Sequence, residues 1–238
     1  MTRRRWIADE ISGSRAALVG SHADHLIRAL RARVGQEFDI ATGDQVRRGR
    51  VVSIASDRVE FDLGEVVPAP ATAEITLALS IFKFDRMEWA IEKCTELGVA
   101  RIIPLIAKRT ETHLASAAVK RVERWRRIAQ QAAEQSRRTV IPEISNAIKF
   151  KELLEFPAAA RIVLSESEKL LKLSDAISPA TNNLILAVGP EGGWTESELE
   201  AFQTSRWISA SLGNTILRAE TAAIAALAII LAEFHSTD

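Results

Sequence analysis

The sequence predicts an α/β protein in two parts: a small β-rich domain over residues 1–70 and a larger domain over residues 71–238 built on a mainly parallel sheet. Three observations carry this. Near residue 75 the hydrophobic periodicity changes from short alternating runs to strands that alternate with helices. The stretch VVPAPATAE, residues 66–74, sits at that change and reads as a linker. Two apolar strands, NLILAVG and WISASLG, each run into a glycine loop that opens a helix, and ligands of parallel sheets bind at such strand ends.

Taken in order, EFDIAT, GRVVSIAS and RVEFDLG alternate apolar and polar residues between Gly and Asp turns, with one helical patch at HADHLIRALRA, which suits a small barrel. ITLALSIF is the first strand of the larger domain. Asp85 with Glu88 is spaced to cap the next helix, whose Met87, Ala90, Ile91, Cys94 and Leu97 share one face before Gly98 ends it. RIIPLIA is a second strand, and residues 116–138 form a long, basic, amphipathic helix from Ser116. RIVLS, NLILAVG and WISASLG are further strands. Thr195 and Glu198 have the spacing of a capping box. The last helix, about 219–234, is apolar almost all round, so it is buried on several sides, within the domain or against another subunit.

Among 238 residues, Lys+Arg and Asp+Glu balance at 31 each, so net charge names no partner. Its distribution says more: residues 1–50 carry a net +4, residues 101–140 a net +7 and residues 151–205 a net −5. One part of the chain can meet a polyanion while another does not. Cys94 is the only cysteine, which excludes an internal disulfide and fits a reducing, cytoplasmic setting. The basic N-terminus lacks the apolar segment of a signal peptide, and the run from Ala222 to Ala232 falls short of the ~18 residues of a membrane span. His22 and His25 have no cysteine or carboxylate cluster near them in sequence, so no metal is expected.

The loop Gly-Pro-Glu-Gly-Gly at 189–193 follows a strand and precedes a helix, a position that often holds phosphate. Here Glu191, Glu196, Glu198 and Glu200 oppose a dianion. Repulsion of about 4 kcal/mol at close range outweighs a helix-end attraction of about 1 kcal/mol. The loop suits a neutral or cationic ligand read by backbone groups. A second loop, SLGNTILRAET, places Arg218, Glu220 and Thr221 ahead of a greasy helix, where polar groups need a partner or a function.

LILAVGPEGGWTESELE together with SLGNTILRAETAAIAAL resembles the RsmE family of 16S ribosomal RNA uridine-N3 methyltransferases, in the SPOUT superfamily. FKFDRMEWAIEKCTELGVARIIPLIAKRT, AAEQSRRTVIPEI and HADHLIRALRARVGQEFDI resemble further segments of that family, the last from its PUA-like RNA-binding domain. The resemblance implies a homodimeric enzyme acting on the small ribosomal subunit with S-adenosyl-L-methionine, its C-terminal domain tied in a deep trefoil knot. It implies cofactor contacts at Leu164 and Ser165, at Gly189, Glu191, Gly192 and Gly193, and at Leu212, Gly213, Ile216, Leu217, Arg218 and Thr221. Arg218 is expected to stabilise charge developing on the uracil oxygens, with either Glu220 or water taking the N3 proton. RNA contacts are expected from Arg3, Arg4, Arg5, His25, Arg28, Arg31 and Arg33, and from Lys83, Arg109, Arg137 and Arg138. Two departures stand out: Asn214 and Thr215 where the family carries a further loop arginine, and Arg137 where it has glycine. A ribose 2′-O-methyltransferase of the same superfamily and a non-catalytic rRNA assembly factor are the alternatives; the former typically reads S-L-N-x-S at this loop.

Overall fold

The structure, a computed structural model, describes residues 5–43, 45–67, 74–136, 138, 140–178, 181 and 183–235. The chain divides into two compact units, Met1–Ala71 with Ala133–Val140, and Thr72–Ala132 with Ile141–Asp238.

The first unit is a six-stranded sheet. Its elements are β1 (Arg5–Ile7), β2 (Glu10–Ser12), β3 (Arg15–Val19), α1 (Gly20–Asp24), β4 (Glu37–Ala41), β5 (Val46–Ile54) and β6 (Arg58–Val67). The strand order β1-β4-β5-β6-β3-β2 is antiparallel except for β1 beside β4. β1 and β2 are both edges, so the expected barrel is an open, curled half-barrel. Two register shifts in β5, at Arg47/Gly49 and Val51/Ser53, supply local twist. Leu18, Leu26, Ile40, Val59 and Phe61 are fully buried on its inner face. The helical patch of the sequence is α1 followed directly by a π-turn over His25–Ala29.

The second unit is a parallel sheet with helices on its faces. Its elements are β7 (Glu74–Ser80), α2 (Phe84–Leu97), β8 (Arg101–Ile106), α3 (Thr112–Gln135), β9 (Glu143–Ile144), β10 (Ile148–Lys149), α4 (Phe150–Leu154), β11 (Ala160–Leu164), α5 (Leu173–Ala176), β12 (Asn183–Val188), α6 (Glu196–Thr204), β13 (Ile208–Ala210) and α7 (Ala219–His235). Its order is β10-β8-β7-β12-β11-β13, with β9 on β8. Every pairing is parallel, so the strands end on one side, and the order reverses between β7 and β12. The strands are apolar on both faces because helices cover both.

α7 packs on α2 and α5 with Ala223, Ala226, Leu227 and Ile230 fully buried. Burying Leu227 and Ile230 contributes about 1.5–3 kcal/mol each, which outweighs any surface ion pair of the unit. After β13 the chain runs beside the segment that leaves β11: Ser211 N–H donates to Leu171 O at 2.9 Å and Leu173 N–H to Ser211 O at 2.9 Å.

Three local expectations need correction. Asp85 and Glu88 do not cap α2, which starts after Lys83 without a side-chain cap; Glu88 is drawn instead to Arg124 and Arg121 of α3. Leu97 is 37% exposed and leaves the apolar face that Met87, Ala90, Ile91 and Cys94 do form. α3 starts at Thr112, a turn before Ser116, and stops at Gln135. Gly98 ends α2 as expected, its N–H donating to Cys94 O and Thr95 O.

Candidate active site

Three loops that leave the carboxyl ends of β11, β12 and β13 enclose a cavity of about 630 Å³. Leu164–Lys169 form one wall, Val188–Trp194 the second and Ala210–Ala219 the third, with Arg86, Arg109, Leu199 and Ala222 completing the lining. The parallel register makes this convergence unavoidable, since Leu164 pairs with Ala210 and Val163 with Ala187.

Each wall is fixed by bonds that the local sequence dictates. Trp194, 8% exposed, turns its ring under the second loop and donates Nε1–H to Leu164 O at 2.9 Å, tying the first two walls. A Cβ on Gly189 would come within 3.2 Å of that ring, so the close approach needs glycine. Gly193 takes φ +69°, which turns the chain into the Thr195 cap. There Thr195 N–H donates to Glu198 Oε2 at 2.9 Å and Glu198 N–H to Thr195 Oγ1 at 3.3 Å, the capping box that the spacing predicts. Glu198 is fully buried and also accepts from Lys108 N–H at 2.8 Å, so its charge serves the fold rather than a ligand. Arg109, next to it, donates to Gly192 O at 2.6 Å and Trp194 O at 3.2 Å and straps the second wall.

Of the residues expected to touch a cofactor, Leu164, Ser165, Gly189, Glu191, Gly192, Gly193, Leu212, Gly213, Ile216, Leu217 and Arg218 all line the cavity. Thr221 does not, and neither does Glu220. Glu220 is 5% exposed, its Oε1 lies 3.8 Å from Arg86 Nε, and its Oε2 has no hydrogen-bond partner. Arg218 lines the cavity and is exposed, with no hydrogen bond or ion pair from its guanidinium among the described residues. The sequence pointed to neither Arg86 nor Trp194, nor to Glu166, Ser167 and Lys169. Glu166 and Lys169 were within reach of a strand-end rule; Arg86 sits on α2, far from any glycine loop in sequence.

Among the described residues no group of three His, Cys, Asp or Glu side chains is placed to hold a metal ion, and no helix is long and apolar enough to cross a membrane. His22 bridges two carboxylates of the first unit, Asp9 Oδ1 at 2.8 Å and Glu134 Oε2 at 3.2 Å. Burial works to lower its pKa, but the bonds to Glu134 and Asp9 prevail and the pKa is raised.

The RNA methyltransferase domain pattern matches residues 69–231. Ribosomal RNA small subunit methyltransferase E of Rickettsia conorii is 33% identical, over 90% of this chain and 88% of its own. The chain belongs to the ribosomal RNA small subunit methyltransferase E family. Two solved structures extend the likeness to three dimensions. Methyltransferase E of Neisseria gonorrhoeae, bound to S-adenosyl methionine, superposes with a TM-score of 0.79 at 30% identity, covering 95% of this chain and 96% of that one. A putative methyltransferase of Legionella pneumophila, in complex with the same cofactor, gives 0.78 at 26% identity, covering 98% of both.

Of the residues expected to meet RNA, Arg3, Arg4 and Arg137 lie outside the described residues, and Arg5 opens β1. His25, Arg28, Arg31, Arg33 and Lys83 are exposed. His25 tilts against Trp6 with ring centroids 5.7 Å apart, and Arg28 pairs with Asp24 at 2.6 Å. Arg138 is half-buried, and burial pulls its pKa down to about 10. It remains charged at neutral pH. Arg109 is already engaged on the second wall.

Proposed function

We propose that this chain methylates N3 of a uridine in 16S rRNA of the small ribosomal subunit, with S-adenosyl-L-methionine as donor, acting as a cytoplasmic homodimer. The carrying observation is the cavity itself: three strand-end loops around a space within the ~300–1,000 Å³ range of small-molecule sites. Its chemistry fits the donor. Glu166 and Glu191 bring carboxylates to a lining that also holds Arg86, Arg109, Lys169 and Arg218, so a sulfonium cation and the donor's carboxylate can both find an opposite charge. Leu164, Val188, Leu212, Ile216 and Leu217 supply apolar walls, and Gly189 leaves room for the Trp194 ring that ties the second wall to the first. Bound there, S-adenosylmethionine supplies an electrophilic methyl group.

The chain's own residues do the rest. A neutral imide nitrogen is a poor nucleophile, so the N3 proton must leave as the reaction proceeds. Arg218, exposed on the third wall with its guanidinium unengaged among the described residues, stabilises the negative charge that builds on the uracil oxygens. Glu220 stands behind that wall, which favours water as the proton acceptor. The exposed arginines of the first unit hold the RNA by its phosphates, an affinity that falls steeply with salt. The outer stripe of α7, where Ala228 and Ala232 are exposed and Ile224 and Ile229 half-buried, supports a second copy as partner.

The test is nucleoside analysis by mass spectrometry after small subunits from a strain lacking the gene are incubated with the protein and donor. Appearance of 3-methyluridine is the expected result. A ribose-methylated nucleoside in its place, or no product together with no heat of donor binding, overturns the proposal.

A further inference from the structure

Arg86 belongs to neither the second nor the third wall, yet it is hydrogen-bonded to the second and lies within ion-pair range of Glu220, just behind the third. From the first turn of α2 its Nη1 donates to Glu191 Oε1 at 2.6 Å, and its Nε lies 3.8 Å from Glu220 Oε1. The two carboxylates differ. Glu191 is on the second wall with its side chain 32% exposed, whereas the side chain of Glu220, at the start of α7, is 6% exposed. A carboxylate so far removed from water, with Oε2 unbonded, is costly unless a cation sits beside it. Among the described residues Arg86 is the cation that pairs with Glu220.

We infer that Arg86 is a positioning residue that latches the Gly189–Gly193 loop to the start of α7, with Glu220 as its buried anchor; the inference rests on the methyltransferase function proposed above. The planar guanidinium serves two carboxylates at once, which a lysine ammonium does less well. One end of the latch is set by helix packing, because Glu220 rides on α7 and Arg86 on α2, and those helices pack together. The other end, Glu191, is a loop residue whose side chain is held, among the described residues, by Arg86 alone. Since Arg218 lies two residues before Glu220, the latch sets the distance between the donor-facing second wall and the guanidinium that faces the base. Glu220 thereby acts through Arg86 and not as a proton acceptor.

Amide hydrogen exchange on the full-length chain without ligand tests the latch directly. R86A is expected to raise exchange at both 189–193 and 216–221, to lower donor affinity by calorimetry about tenfold, and to lower kcat about 100-fold, the scale on which small misplacements act. R86K restores part of the protection and part of kcat. E191Q speeds exchange at 216–221, residues it does not touch, and R86A combined with E191Q is no worse than R86A alone. Unchanged exchange at either loop in R86A, or additive effects in the double variant, overturns the inference. If R86A does not fold, E191Q decides: unchanged protection at 216–221 overturns the latch, and lost protection supports it. A wild-type chain that neither binds the donor nor methylates RNA sinks the function proposal, while the exchange pattern still decides the latch.

Discussion

Arg218 gives its carbonyl to α7, accepting from Ala222 N–H at 2.8 Å, so the backbone of the third wall is fixed while its guanidinium stays in the cavity. Replacement by alanine keeps that backbone bond. It is expected to lower kcat about 10²–10³-fold and to leave donor binding by calorimetry nearly unchanged. Gly189→Ala tests the opposite kind of residue. Its Cβ pushes against the Trp194 ring, and the bond to Leu164 O that joins two walls weakens. Donor affinity should fall with little change in the kcat that remains at saturation. Cys94 is a control of a third kind. It is fully buried, and burial pushes its thiol up to about 12, so it carries no thiolate at neutral pH. A thiol reagent should label it only as fast as the chain unfolds; rapid labelling of the native protein contradicts this placement.

Helix α6 shows how an element holds a loop. Thr195→Ala removes one side of the cap and is expected to cost about 1 kcal/mol in urea unfolding. Glu198→Ala removes the charged acceptor shared by Thr195 and Lys108 and should cost more, about 1.5–3 kcal/mol. This capping box was legible in the sequence because both partners lie within four residues. The same spacing misled at Asp85 and Glu88, where Arg121 and Arg124 recruit Glu88 from across the fold and no local rule anticipates them. The alternation of strands and helices was legible from periodicity, but β9 and β10 are two residues each, too short to carry a period. The glycine loops announced the second and third walls. Arg86 stayed hidden, being 105 residues from Glu191 and joined to it only by the parallel sheet. The open edges of the first unit escaped prediction for the same reason, since strand order is set by non-local pairing.

For the whole molecule, the bridge Asp9–His22–Glu134 joins residues far apart in the chain and makes stability depend on pH. Because the folded pKa of His22 is raised, its contribution is complete below the unfolded value of about 6.5 and is lost as pH rises through the folded value. The melting temperature should therefore fall between pH 6 and 8 more steeply than in His22→Gln; parallel curves for the two proteins would show that the bridge adds nothing. A different consequence follows from the strand order. The segment 210–219 is made after every other wall of the cavity, yet it must lie beside residues 171–173, laid down some forty residues earlier. The cavity therefore closes in one late step: two walls wait, open to water, until the third has been made and has settled against the older turn.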